Sequence, residues 1–246
     1  MLPPAIVFIT VVLLAEFIVR RGWIADYLLP RPTQVLAAIQ TSSRELLLAL
    51  RSTGVASLIG FSLSAVVGIV MAIILASGGW VERAFYPYAV FFQTVPIIAI
   101  APLLVIWFGL DADAVIASSF IVSVFPVIAN TLTGLRSTDP ALRDLFRLYE
   151  AGSLSTLLKL RLPFAFPSVF TGLRVAAGLA VIGTIVGEFI TGSGLGGLIQ
   201  VSRQQQKVDK VFAALLLSSL LGIALFAIVN AMGRLAMRNW HASEKE

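Results

Sequence analysis

Four stretches of this chain carry no charged residue: 52–81, 84–110, 114–135 and 211–233. They run for 30, 27, 22 and 23 residues. A helix needs about 20 apolar residues to cross the hydrocarbon core of a bilayer. In lipid the backbone must satisfy its own hydrogen bonds, and a helix does so within one segment. Two further stretches are nearly as apolar. Residues 4–23 are interrupted by Glu16, and residues 167–190 contain Arg174 and Glu188. The fold class that follows is an all-α membrane protein with six transmembrane helices, at roughly 4–24, 54–78, 84–109, 113–135, 167–190 and 211–235. Residues 33–51 are expected to form an amphipathic surface helix. Residues 191–210 are expected to form a polar loop that folds back on the membrane. The first span lacks a basic leader and a small-residue cleavage site, so it is read as a retained helix. The whole chain, 1–246, reads as one transmembrane domain with a frayed tail from Arg238.

Composition agrees. The chain is 58% hydrophobic and 13% charged, whereas a soluble domain is about one quarter charged. It has no cysteine, so a disulfide framework, a thiolate metal site and a cysteine nucleophile are excluded. The single histidine, His241, cannot build a multi-histidine metal centre. The net charge of +5 comes from residues flanking the apolar runs, which suits a lipid surface and not nucleic acid. Lysine and arginine divide almost evenly between the two sets of connecting segments, so charge bias does not orient the chain.

Small residues recur every fourth position on two spans. Gly60, Ser64, Gly68, Ala72 and Ala76 form one ridge; Gly172, Ala176, Ala180 and Thr184 form another, with Gly183 and Gly187 beside it. Such ridges let helices approach closely in lipid. Enzymatic motifs are missing. No glycine precedes any lysine, so there is no P-loop, and neither a Gly-x-Ser-x-Gly elbow nor a His-Glu-x-x-His pair occurs. The glycine-rich run 192–197 follows a membrane helix, not a strand, and is read as a tight turn.

Residues 142–173 form the one long charged interruption. Asp139 suits an N-cap and Pro140 the first helical position. Gly152 breaks the run, Ser153 can cap a second helix, and Pro163 is expected to end it. Apolar residues recur at Leu142, Leu145, Phe146 and Tyr149, then at Leu154, Leu157, Leu158 and Leu162. Two short amphipathic helices at a membrane surface suit either docking into a partner's groove or lying flat in the lipid interface.

This stretch resembles the cytoplasmic "EAA" loop of permease subunits of bacterial ABC importers. With Leu162-Pro163 as anchor, the loop's aliphatic falls on Leu160, its glycine on Glu150 and its glutamate on Asp144. Leu145 and Phe146 stand for the two alanines, and a glycine, Gly152, follows two residues after Glu150. Further matches are Leu29-Pro30-Arg31-Pro32-Thr33, Val95-Pro96 through Pro102-Leu103, Trp107-Phe108-Gly109 and Gly172-Leu173-Arg174. They are similar to the nitrate, sulfonate, taurine and pyrimidine-precursor branch. The resemblance implies a type I importer fold, with a second permease copy, two cytoplasmic ATPase subunits and a periplasmic or lipid-anchored solute-binding protein as partners. ATP and Mg would be bound by the ATPase, and this chain would hold no cofactor. It implies a cell inner-membrane location with both termini inside and a coupling loop at about 137–163. The residues it marks for coupling are Asp144, Phe146, Glu150, Ala151, Gly152 and Leu157. The solute would be small and polar or anionic: a sulfonate, nitrate, taurine, or a pyrimidine or riboflavin-type precursor.

Four polar residues within spans are candidates for the translocation pathway. Gln93 and Thr94 precede Pro96, which opens a local polar spot; the other reading is a kinked packing helix. Asn130 and Glu188 need a partner or water, so each is a pathway group or a structural anchor. Arg174 is expected to snorkel or to bond carbonyls, and Glu16 to make a local contact. Two other functions stay open from the residues alone: an ion-coupled secondary transporter without an ATPase, and a structural membrane scaffold.

Overall fold

The computed structural model describes residues 2–237, and their regular structure is entirely helical. In chain order the helices are α1 (Leu2–Arg20), α2 (Pro32–Thr41), α3 (Ser43–Ala76), α4 (Gly79–Thr94), α5 (Ile97–Phe108) and α6 (Ala112–Arg136). There follow α7 (Pro140–Leu148), α8 (Ser153–Thr156), α9 (Leu162–Thr191), α10 (Gly194–Gln204) and α11 (Val208–Met237). A π-helical stretch, Leu157–Arg161, joins α8 to α9 without a break. Among the described residues four helices are long and apolar enough to cross a membrane alone: α3, α6, the α8–α9 rod and α11.

Four boundaries differ from the sequence reading. The expected third span is two helices. Val95, which precedes Pro96, is held in extended backbone (ψ 124°), as steric contact with a following proline favours. Pro87 and Pro102 stay inside α4 and α5. The expected surface helix 33–51 is also split. Only α2 is separate, and residues 43–51 belong to α3, whose 34 residues extend about 51 Å. Arg51 does not interrupt the helix. Pro163 does not end the coupling-loop helix either. In the preceding π turn the N–H of Leu162 bonds the Leu157 carbonyl, and the rod passes through both Pro163 and Pro167. Finally, residues 194–204, expected as loop, are the buried helix α10.

The core is built on the two small-residue ridges. α6 and α9 run antiparallel: Gly134 lies against Ala165, Gly172 against Pro126 and Asn130, and Gly183 against Ser118. A Cβ on Gly183 would stand 2.8 Å from the Ser118 carbonyl oxygen. α3 runs parallel to α6, with Gly60 on Ser119 and Gly68 on Val127. Buried hydroxyls cross the same seams. Ser118 donates to the Gly183 carbonyl (2.8 Å), Ser119 to the Ala180 carbonyl (2.9 Å) and Ser57 to Thr184 (2.9 Å); Ser64 and Ser123 share a 2.6 Å bond. Each such bond contributes about 0.6–2 kcal/mol in a bilayer. α11 lies antiparallel to α9, with Gly233 on Phe170 and Leu225 and Val229 on Ala177 and Val181.

These directions gather the connections at two ends. At one end Arg161 donates to the Ala76 carbonyl (3.2 Å), and Arg136 pairs with Glu82. At the other, Leu195, Leu198 and Ile199 of α10 pack with Ala38 of α2, Leu46 of α3 and Ala213 of α11. Glu16 there ties α1 to α2, accepting from the Thr33 hydroxyl (2.9 Å) and from Arg20 (2.7 Å), which is the local contact expected of it.

Candidate coupling elbow and translocation residues

Residues 137–161 form an elbow between the ends of α6 and α9. Asp139 caps α7: its Oδ1 accepts from the Ala141 N–H at 2.8 Å, and Pro140 fills the first position. Arg143 straps α7 to the end of α6, donating to the carbonyls of Arg136 and Thr138, each at 2.7 Å. Those carbonyls have no helical partner, so the guanidinium satisfies the α6 C-terminus.

The turn after α7 is a Schellman motif. The Ala151 N–H bonds the Phe146 carbonyl and the Glu150 N–H bonds the Arg147 carbonyl, both at 2.9 Å. The motif needs a left-handed residue between them, and that residue is Glu150, at φ +50°. Glycine adopts this conformation freely, whereas a residue with a Cβ loses about 1 kcal/mol. Ser153 opens α8, with Gly152 as its extended N-cap, one residue earlier than the sequence reading puts it.

The expected coupling residues divide between two faces. Asp144 is exposed and holds Arg147 at 3.4 Å. Glu150 and Gly152 are exposed, whereas Phe146 and Ala151 are half-buried. Leu157 is also half-buried and packs on the core cluster of Ala72, Leu75, Leu132 and Leu135. Its packed side is turned toward the bundle. The outward face carries residues outside the coupling set: Leu148 is 81% exposed, Tyr149 79% and Leu154 68%. Tyr149 and Leu154 belong to the apolar series read from the sequence, whereas Leu148 lies out of phase with Leu142 and Phe146 on α7.

At the opposite end lies a clasp. Glu188, 1% exposed, accepts from the Thr53 hydroxyl (2.7 Å) and from the Gly196 N–H (2.8 Å). Thr53 in turn accepts from the Leu195 N–H at 2.9 Å. The carboxylate thus sits at the N-terminus of α10, where free N–H groups and the helix dipole favour negative charge. Gly194, at φ +57°, lies so close to this carboxylate that a side chain there would collide with it. Beside the clasp a cavity of about 530 Å³ is bordered by Arg51, Ser52, Asp111 and Ser193.

Residues 64–237 match the family described as "Binding-protein-dependent transport system inner membrane component". The chain belongs to this family. The permease is 38% identical over 208 residues to the formylaminopyrimidine transport permease protein ThiX of Halalkalibacterium halodurans, covering 84% of this chain and 83% of that one. It is 33% identical over 204 residues to the putative aliphatic sulfonates transport permease protein SsuC of Escherichia coli, covering 82% and 78%. The fold is shared with the inward-facing MetNI methionine ABC transporter (TM-score 0.66, 16% identity, 77% of this chain and 95% of that one). It is shared also with an amino acid ABC transporter solved with histidines (TM-score 0.64, 14% identity, 82% and 97%). The protein is therefore a multi-pass membrane permease of an ABC importer.

The permease does not bring its four expected pathway residues into one cluster. Gln93 and Thr94 are exposed on the last turn of α4, where Thr94 bonds the Phe91 carbonyl at 2.8 Å. Asn130 donates to the Pro126 carbonyl (2.9 Å) beside Gly172. Glu188 occupies the other half of the α6–α9 pair, since neighbouring Gly187 lies against Val115. Arg174 is half-buried, and its Nε has no hydrogen-bond partner among the described residues.

Proposed function

We propose that this permease forms the pore as a pair of copies, and that a cytoplasmic ATPase subunit grips the elbow of each. The observation that carries this reading is the outward apolar pair Leu148 and Tyr149 on a short helix strapped rigidly to α6 by Arg143. A partner closing on that elbow pushes α6 through the strap and α9 through the unbroken α8–α9 rod. These two helices are locked by close glycine contacts, so they move as one body. On this reading the elbow end is cytoplasmic, both termini are inside, and the Glu188 clasp faces the solute-binding protein. ATP and Mg act in the partner, and the chain is a single transport domain without catalysis of its own. Work is done through differential affinity of the partners for inward-open and outward-open states.

Asp144, Phe146, Glu150, Ala151 and Gly152 form the docking turn together with Leu148, Tyr149 and Leu154. Leu157 backs it from inside. Exposed Gln93 and Thr94 face the pathway between the copies, with Asn130 below them. Glu188 serves the pathway indirectly, by holding α10 at its mouth. The solute is small and polar or anionic. The names of the relatives support two classes to test first: pyrimidine-type vitamin precursors and aliphatic sulfonates.

The test is reconstitution of the permease, its ATPase subunit and its binding protein into vesicles. Uptake of labelled formylaminopyrimidine, riboflavin and an alkyl sulfonate would be followed with and without ATP. The reading expects uptake of one of these that requires ATP and the binding protein. Uptake driven by an ion gradient with the permease alone would overturn it.

A further inference from the structure

Arg174 carries a charge at the depth where a bilayer tolerates it least. Along the α8–α9 rod it stands 13 residues after Arg161, which bonds the Ala76 carbonyl at the elbow end, and 14 before Glu188 of the clasp. At 1.5 Å per residue each end is about 20 Å away, farther than an arginine side chain snorkels. Nor does Arg174 bond helix carbonyls, the other expectation for it. Among the described residues it forms no hydrogen bond and no ion pair, and its Nε is buried without a partner. A charge at this depth pairs with an opposite charge or with carbonyls, or stands in a water-filled path. No carboxylate of the described chain can serve as its partner. All except Glu188 lie at the two ends of the bundle, and Glu188 is held by Thr53 and Gly196. A second copy, related by an axis normal to the membrane, brings the same acids at the same depths and supplies none either. The surroundings have room for a ligand. Half-buried Arg174 borders the exposed strip of α9 formed by Thr171, Val175 and Ile182. At Gly178, one turn on, a Cβ would meet nothing within 4 Å. The proposed pathway residue Asn130 lies at nearly the same depth, against Gly172.

We infer that Arg174 is an anion-binding residue at the midpoint of the translocation pathway, and that the solute carries an oxyanion group, a sulfonate or a carboxylate, which pairs with it in passage. The planar guanidinium fork takes two oxygens of such a group at once. Between passages water in the pathway solvates the charge; during passage the solute supplies the counter-ion that the chain lacks. A neutral solute offers no such pairing, so the pathway discriminates by charge. This inference rests on the proposed pairing of two copies around the pathway. It narrows the solute to the anionic one of the two classes carried in the names of the relatives, the aliphatic sulfonates.

The experiment uses the permease with its ATPase subunit and binding protein in vesicles, as wild type, Arg174→Lys and Arg174→Gln. Two quantities are measured: ATP-driven uptake of labelled ethanesulfonate, formylaminopyrimidine and riboflavin, and the thermal midpoint of each permease in detergent. The wild type should take up ethanesulfonate and neither of the other two, which carry no anionic group. Arg174→Gln should cut ethanesulfonate uptake by about twentyfold or more, with the midpoint unchanged or raised, because the charge that is lost had no internal partner. Arg174→Lys should keep more uptake than Arg174→Gln, at a raised KM, since an ammonium retains the charge but not the fork. ATP-driven uptake of formylaminopyrimidine or riboflavin by the wild type at a rate matching or exceeding ethanesulfonate would show the inference wrong while the importer reading stands. It is equally wrong if Arg174→Gln carries ethanesulfonate like the wild type, or if Arg174→Lys fares no better than Arg174→Gln. A midpoint lowered by several degrees in Arg174→Gln would assign Arg174 a structural role instead. If none of the three solutes enters under ATP, the importer reading itself fails and the inference falls with it.

Discussion

The two ends of the permease handle their polar groups and apolar side chains in opposite ways. At the clasp end, Glu188, Thr53 and the first N–H groups of α10 satisfy one another, and α10 buries Leu195, Leu198 and Ile199 among α2, α3, α9 and α11. At the elbow end, Leu148, Tyr149 and Leu154 face outward and Glu150 holds an unpaired carboxylate in strained backbone. The clasp is satisfied within one chain, although Trp23, Tyr27 and Leu36 near it stay exposed. The elbow keeps its charged and apolar turn residues on the outside. Substitutions at the clasp should therefore register as lost stability, and substitutions on the outward elbow as lost partnership.

The largest expected effect is at the clasp. Glu188→Ala leaves the buried Gly196 N–H without its acceptor and Thr53 with only the Ala49 carbonyl, at a cost of about 3 kcal/mol. Thermal unfolding in detergent should fall by several degrees; an unchanged midpoint would mean the clasp carries no stability. Gly194→Ala comes next, at about 2 kcal/mol, from its left-handed φ and the collision with Glu188. The same unfolding assay should rank it just below Glu188→Ala. Glu150→Gly has the opposite sign, a gain of about 1 kcal/mol from relieved backbone strain, read as a higher midpoint. Smallest is Leu148→Ser, within about 0.5 kcal/mol, because the side chain touches little of its own protein. A large loss there would show that the elbow's outward face is packed internally and would erase the contrast between the ends.

Much of this was legible in the sequence. The uncharged runs marked the spans, and the four-residue ridges marked the faces of α3 and α9 that now meet α6. Alignment of the EAA-like loop put its glycine on Glu150, the residue that adopts the left-handed turn. What escaped has physical causes. Proline alone does not distinguish a break from a pass: Pro96 splits a span, whereas Pro87, Pro102 and Pro163 do not. The glycines of 192–197 lower helix propensity, yet α10 forms because Gly194, Gly196 and Gly197 allow close approach to Glu188 and Gly192. Leu157 has the spacing of a docking residue, and only the packing of the π turn reveals that it points inward.

The proposed docking of the ATPase subunit at the elbow is open to direct test. The measurement is affinity capture of the tagged permease with its ATPase subunit, comparing wild type, Leu148→Asp and Leu157→Asp. Leu148→Asp is predicted to keep the wild-type thermal midpoint but lose the ATPase subunit, whereas Leu157→Asp lowers the midpoint because the charge enters the bundle. Retention of the ATPase subunit at wild-type stoichiometry by Leu148→Asp would contradict the claim that this end is completed by a partner.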